Sequence, residues 1–401
     1  MQDLNKTPSA NRLHIGFFGK RNSGKSSLIN AFAGQEVSIV SPVLGTTTDL
    51  VYKAMEISPL GPCMLMDTAG FDDVGELGKL RIEKTKLAME KADIAVVLFC
   101  GEDINEEILL VKDFKKAKTP VLCVISKADV ISNSKELQNQ IKEQTNLESI
   151  IVSSSDKKSI ELFKEELIKI VPDDFDNLSL TGEFVSEDDT VLLVMPQDIQ
   201  APKVRLILPQ VQTIRDLLEN KCTVICTTTD KLKTAISKLK NPPNLIITDS
   251  QVFKTVYEQK PKESKLTSFS ILFANYKGDL DYFANSAYAI ERLTENSKIL
   301  IAEVCSHAPL DEDIGRVKIP ALLRKKVGGK LTIDFVRGTD FPKDINKYDL
   351  IIECGGCMFG RKYLMTRVDK AKSQNIPMSN YGVVIAYLCG ILDNIYIKSN
   401  K

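Results

Sequence analysis

Gly19-Lys20-Arg21-Asn22-Ser23-Gly24-Lys25-Ser26 is the stretch of this 401-residue chain that decides its fold. It matches G-x-x-x-x-G-K-[ST], follows an apolar run at 13–18 and opens the helical run SLINAFAG, the strand-loop-helix setting that a phosphate loop requires. Its glycines let backbone N–H groups close around phosphate oxygens. Lys25 is placed to reach the β and γ oxygens and Ser26 to ligate Mg²⁺. Gly19, Asn22, Ser23, Gly24 and Ser27 complete the candidate cradle.

Outward from this loop, short β-branched or aromatic runs alternate with longer amphipathic stretches, the pattern of βα units around a mostly parallel sheet. Strands are expected at 13–18, 63–66, 94–100, 121–125 and 150–153, with helices between them. Residues 171–189 are acidic, carry Pro and Gly and show no sustained period, so they read as a linker. A second series has strands at 190–195, 222–228 and 244–248. A charged, Pro-bearing stretch at 258–265 precedes a third series, with strands at 269–274, 298–304, 331–336 and 348–353. No internal repeat is visible. The expected fold class is α/β: a P-loop nucleotide-binding domain at 1–172, then two smaller mostly parallel-sheet domains at 180–263 and 264–401.

Lys+Arg and Asp+Glu both number 53, giving a formal net charge of zero. That balance argues against a nucleic-acid footprint or an anionic membrane surface. A hydrophobic content of 43% with 26% charged residues is ordinary globular composition. The longest apolar runs fall far short of the roughly 18–20 residues of a spanning helix. Nine cysteines are few for a stapled secreted scaffold, and the first dozen residues are polar. A soluble protein in a reducing, cytoplasmic setting is expected.

Further elements give the loop a guanine nucleotide. Asp67-Thr68-Ala69-Gly70 follows a strand, so Asp67 can hold Mg²⁺ through a water and the Gly70 amide can meet the γ-phosphate. In Gly45-Thr46-Thr47-Thr48-Asp49 the register selects Thr47 as a Mg²⁺ ligand. Ser126-Lys127-Ala128-Asp129 follows another strand, where the Asp129 carboxylate would accept from guanine N1 and N2, and Ser153-Ser154-Ser155 closes the next. Together these motifs resemble the TrmE-Era-EngA branch of GTPases over about residues 12–172. Ser126 stands where that branch usually has Asn, and Phe71 stands where Ras-type enzymes carry a water-orienting Gln, so slow intrinsic hydrolysis is expected. The resemblance implies that Asn22 helps to hold K⁺ where an arginine finger would sit.

Cys63, Cys100, Cys123 and Cys389 lie in apolar surroundings and read as packing residues. Cys222 and Cys226, four apart on an expected strand, should share one buried face. His14 reads as structural. The other three cysteines differ. Cys305-Ser306-His307 follows one strand, and far downstream Cys354-Gly355-Gly356-Cys357 follows another. In an open parallel sheet, residues just past strand ends converge where ligands bind. The Gly pair allows a tight wrap, while a helix from about Gly360, with Arg361 and Lys362, adds positive charge that favours thiolates. Three thiolates and an imidazole suit either a Cys₃His zinc site or a three-cysteine iron-sulfur cluster, spacing alone does not decide between them, and a pair of unligated thiols is a third reading.

C-x-H followed by C-x-x-C, behind a TrmE-like GTPase domain, resembles the HydF family of iron-iron hydrogenase maturation factors over the whole chain. The resemblance implies a GTP-hydrolysing scaffold with GTP/GDP, Mg²⁺, K⁺ and a 4Fe-4S cluster on Cys305, Cys354 and Cys357, His307 or Asp311 being candidates for its fourth iron. It also implies a dimerising middle domain, radical-SAM maturases and apo-hydrogenase as partners, and delivery of a di-iron precursor. A zinc-stabilised regulatory GTPase and a TrmE-type tRNA-modifying GTPase are the competing readings.

Overall fold

The computed structural model describes residues 9–34, 51–68, 76–127, 133–172, 175, 179–196, 206–304, 314–356 and 359–397, with backbone alone over 76–83. Two compact units result, Met1–Asn177 and Leu178–Lys401.

The first unit is built on β1 (Leu13–Phe18), β2 (Val51–Ile57), β3 (Gly61–Asp67), β4 (Ile94–Phe99), β5 (Val121–Ser126) and β6 (Ser149–Val152). They form one sheet in the order β2-β3-β1-β4-β5-β6. β2 pairs antiparallel with β3, and the other pairs are parallel. Helices α1 (Lys25–Ala33), α2 (Glu76–Lys91), α3 (Asn105–Lys116), α4 (Ser134–Thr145) and α5 (Lys157–Lys169) complete it. β1 and β4 are buried at every position, which is why they read as unbroken apolar runs rather than as alternation. Phe17 and Phe18 point to opposite faces and sort the core in two. Phe17 packs near Phe163 of α5, and Phe18 stacks edge-on against Phe114 of α3 with centroids 4.8 Å apart. The unforeseen strand of this unit is β2, a half-exposed edge whose mixed sequence VYKAMEI carries no continuous apolar signal.

The second unit holds two four-stranded parallel sheets. β7 (Thr190–Val194), β8 (Thr223–Thr227), β9 (Leu245–Thr248) and β10 (Lys265–Ser268) are ordered β10-β9-β7-β8. β11 (Lys298–Glu303), β12 (Thr332–Arg337), β13 (Leu350–Glu353) and β14 (Met378–Asn380) are ordered β12-β11-β13-β14. Counted from the first strand of each, the neighbour order is the same: fourth, third, first, second. In both, the last strand passes directly into a helix capped by its own final residue. Ser268 accepts from Ile271 N (3.3 Å) at the start of α9 (Phe269–Lys277). Asn380 accepts from Gly382 N (2.8 Å) at the start of α13 (Tyr381–Leu388). The other helices are α6 (Leu208–Glu219), α7 (Leu232–Ser237), α8 (Phe253–Gln259), α10 (Leu280–Ala287), α11 (Ile319–Val327) and α12 (Arg361–Ser373). The unit is thus a topological repeat without a sequence repeat, and one apolar core runs through both sheets.

Two sequence expectations need correction here. The run at 269–274 is helix α9, not a strand: Phe269, Ile271, Leu272, Phe273 and Ala274 are all buried, and an element buried all round shows neither period. The strand lies just before it, as β10, and pairs with β9 in the middle sheet although the third domain was expected to begin at 264. Cys222 and Cys226 do not share a buried face either. Cys222 is buried ahead of β8, while Cys226 is exposed on that edge strand.

Candidate functional site

The phosphate loop leaves β1 at Gly19 and enters α1 at Lys25. Gly19 must lack a side chain, because a Cβ there would lie 2.7 Å from the Leu98 carbonyl oxygen. Asn22 (φ 59°) and Gly24 (φ 89°) adopt left-handed conformations that turn the chain sharply before the helix. Lys25 is buried, and its Nζ donates to the carbonyl oxygens of Gly19 (2.8 Å) and Lys20 (2.7 Å). Ser23 is buried, whereas Asn22, Ser26 and Ser27 are exposed at the mouth of the loop.

Parallel register brings the ends of β1 and β3 side by side, so Ser26 and Asp67 meet: Ser26 Oγ donates to Asp67 Oδ2 at 2.6 Å. Thr68 locks this edge by donating its hydroxyl to the Phe17 carbonyl at 2.6 Å. On the other side, Ser126 at the end of β5 donates to the Ser23 carbonyl at 2.6 Å. Lys127, at φ 56°, lays its stem near Gly24, where a Cβ would sit 4.0 Å from Lys127 Cγ. Ser153 and Ser154 follow β6, Ser154 exposed and Ser153 Oγ 2.8 Å from Ser155 Oγ. Thr47, Gly70 and Asp129 lie outside the described residues.

Sequence reasoning missed an anchor behind the loop. Lys20 Nζ stands 3.5 Å from Asp103 Oδ2 and 3.6 Å from Glu107 Oε2, with the Glu107 side chain fully buried at the start of α3. Burial pushes the Glu107 carboxyl up, against the pull of Lys20. Burial works against the Lys20 charge, but Glu107 and Asp103 outweigh it and raise its pKa. A glutamate in the first turn of an amphipathic helix looks like a surface residue in sequence, so nothing there marked it.

The second set of candidates lies where β11 and β13 end side by side. After β11 the chain moves to β12 on one flank, then crosses to β13 on the other, so this is the switch point at which open parallel sheets bind ligands. Cys354 N donates to the Ala302 carbonyl at 3.1 Å, and Val304 N donates to Cys354 Sγ at 3.0 Å. The half-buried sulfur therefore lies against the residue that precedes Cys305. Both residues that end these strands are acidic and matched by guanidinium groups. Glu303 meets Arg316 at 2.9 Å and Arg337 at 3.1 Å. Glu353 is buried against Arg367 at 2.9 Å, and that burial pushes its carboxyl up to about 7. Gly356 is left-handed (φ 56°), and a Cβ there would run into Leu364 at 2.6 Å.

These features suit a thiolate-held group: an N–H already aimed at sulfur, an acid-neutralising surround and a tight glycine turn. Among the described residues no cluster of metal-ligating side chains occurs, and Cys305, His307, Asp311 and Cys357 lie outside them. Arg361 donates to the Gly278 carbonyl at 3.3 Å. No helix among the described residues is long and apolar enough to cross a membrane.

Known proteins match the chain in three segments. Residues 14–127 match a 50S ribosome-binding GTPase domain, 180–278 the hydrogen maturase F dimerization domain and 281–397 the hydrogen maturase F tetramerization domain. GTPase Der of Wolinella succinogenes is 35% identical over 182 residues, 42% of this chain and 38% of Der. The tRNA modification GTPase MnmE of Polynucleobacter asymbioticus is 34% identical over 162 residues, 38% of this chain and 33% of MnmE. The chain thus spans well under half the length of these relatives. The structure of Aquifex aeolicus Era is 20% identical with a TM-score of 0.34, covering 54% of this chain and 92% of that one. With both maturase domains present in order behind a GTPase domain, the chain belongs to the hydrogen maturase F (HydF) family.

Proposed function

We propose that the chain hydrolyses GTP as a switch and serves as the scaffold on which a di-iron precursor is carried to an apo iron-iron hydrogenase. The observation that carries this reading is the N–H bond from Val304 to Cys354 Sγ at a sheet switch point, in a segment matched as a maturase domain. A 4Fe-4S cluster on Cys305, Cys354 and Cys357 would supply an iron site open to exchange, with His307 or Asp311 as candidate fourth ligands.

In the first unit, Lys25 releases the Gly19 and Lys20 carbonyls to bind β and γ phosphate oxygens. Ser26 and Thr47 would hold Mg²⁺, with Asp67, whose carboxylate accepts from Ser26 at 2.6 Å, holding it through a water. Asp129 selects guanine, with Lys127, Ser153 and Ser154 around the base, and the Gly70 amide meets the γ-phosphate. Asn22, exposed at the loop mouth, would help to hold K⁺, which would supply positive charge where an arginine finger acts in other GTPases. Closure of the segments carrying Thr47 and Gly70 switches the contacts offered to partners. Those partners are radical-SAM maturases and the apo-hydrogenase, approached by a cytoplasmic dimer or larger oligomer of this chain.

Anaerobic reconstitution with iron and sulfide, followed by EPR of the reduced protein, tests the reading. A cluster signal that disappears when Cys305, Cys354 and Cys357 are all changed to Ser supports it. Stoichiometric zinc without a cluster signal would replace it with the zinc-stabilised regulatory reading.

A further inference from the structure

Lys277 ends helix α9 in the middle repeat and is 1% exposed, one of the largest fully buried side chains in the protein. Its Nζ donates to the carbonyl oxygens of Gly356 (3.2 Å) and Phe359 (2.9 Å), which lie on either side of Cys357 in sequence. The next residue returns the contact, since the Gly278 carbonyl accepts from Arg361 at 3.3 Å. Residues 277–278 and 356–361 are therefore tied in both directions. Elsewhere in the same unit Lys318, just before α11, donates to the Gln251 carbonyl (2.7 Å) in the turn after β9, though it holds a different place in its repeat from Lys277.

Burying a lysine is expensive unless its donors are satisfied. A cation at a helix C-terminus gains from the helix dipole, but that gain does not require burial or a reach to another segment. Here the donors are spent on the loop that joins two candidate ligands. Two carbonyls held on one nitrogen restrict the backbone on both sides of Cys357, and the charge lies behind a site that would gather thiolates. Groups just beyond the ligands govern both ligand placement and redox potential.

We propose that Lys277 is a positioning residue for the cysteine site: it clamps the backbone at Gly356 and Phe359 and sets a positive charge beside it, so that the middle repeat governs retention and potential of the bound cluster. This rests on the scaffold reading above. The full chain and its Lys277→Met and Lys277→Gln variants are reconstituted anaerobically, with GTPase rate and thermal unfolding confirming the fold. Iron release to a chelator should be about ten-fold faster in Lys277→Met, and the midpoint potential in an EPR-monitored titration should move negative. Lys277→Gln, which keeps donors without charge, should recover retention but not potential. In the apoproteins, alkylation of Cys354 and Cys357 followed by peptide mass spectrometry should be faster in Lys277→Met than in Lys277→Gln, since both lose the charge that favours thiolates and only Met loses the donors. Should Lys277→Met not fold, Lys277→Gln decides through its potential. Wild-type retention, potential and alkylation in folded variants would overturn the clamp while leaving the scaffold reading intact; a wild-type chain that takes up no cluster would overturn both.

Discussion

Ser126 Oγ donates to the carbonyl oxygen of Ser23 at 2.6 Å, joining the end of β5, which carries the base-reading motif, to the middle of the phosphate loop. Both groups are buried, and the same hydroxyl lies 3.3 Å from the Phe99 carbonyl. A serine at this position keeps a loop-bracing hydrogen bond although it is shorter than the asparagine usual in the branch. The brace depends only on a donor within reach of the Ser23 carbonyl.

Ser126→Ala should therefore weaken GDP binding through the loop. Leaving a buried carbonyl without its partner costs about 1–3 kcal/mol, of which a loss of roughly ten-fold in affinity is the share expected at the nucleotide. Fluorescent-nucleotide titration measures it. Ser126→Asn should bind at least as tightly as the wild type, and a Ser126→Ala affinity equal to wild type would remove the brace from the account.

Asn22 combines a left-handed backbone with an exposed side chain at the loop mouth. Hydrolysis in potassium should exceed that in sodium at equal ionic strength, and Asn22→Ala should abolish the difference while leaving GDP affinity within a few-fold. Equal rates in both salts for the wild-type chain would end the potassium assignment. Asn22→Gly serves as the control for backbone strain, since glycine accepts the same φ without a side chain.

The phosphate loop and β1 were legible because their signal is local: glycines, a lysine and an apolar run in fixed spacing. The meeting of Cys354 with the residue before Cys305 was legible only as a rule about strand ends, and the parallel pairing of β11 with β13 supplies the geometry. Helix α9 was misread because burial on all sides erases the helical period. The repeat in the second unit was invisible because strand order is preserved while side chains are not. Lys277 and Glu107 were missed for a common reason. A charged residue in a helix reads as solvent-facing, and only the packing of distant segments shows that it is buried.

Glu107 gives a pH signature. Its folded-state carboxyl titrates above the ordinary 4.5, chiefly through burial. Below that ordinary value both folded and unfolded chains hold the proton, and nothing is gained or lost. As pH rises through the window up to the raised value, the unfolded chain releases its proton first, so stability falls with increasing pH. The upward shift of Lys20 contains the same attraction and is not an additional term. Glu107→Gln should match the wild type at low pH and exceed it at neutral pH, read from the nucleotide-sensitive thermal transition. A wild-type advantage at neutral pH would mean that the Lys20 pair outweighs burial.

The paired glycines of the cysteine loop should respond in opposite ways to one added carbon. Gly356 sits at φ 56°, and its Cβ would approach the buried Leu364 side chain to 2.6 and 2.9 Å, whereas a Cβ on Gly355 meets nothing within 4 Å. Left-handed backbone costs an alanine about 1–2 kcal/mol, and overpacking against a fixed leucine adds about 1–3 kcal/mol. Gly356→Ala should thus lower apoprotein stability by about 2–5 kcal/mol in urea. Gly355→Ala, an uncrowded substitution, should stay within about 0.5 kcal/mol. Iron content after reconstitution should follow the same order, because displacing Gly356 moves the chain beside Cys357. If the two variants were equally stable and equally loaded, the turn would not be what shapes the loop, and the constraint on it would have to come from the Lys277 side alone.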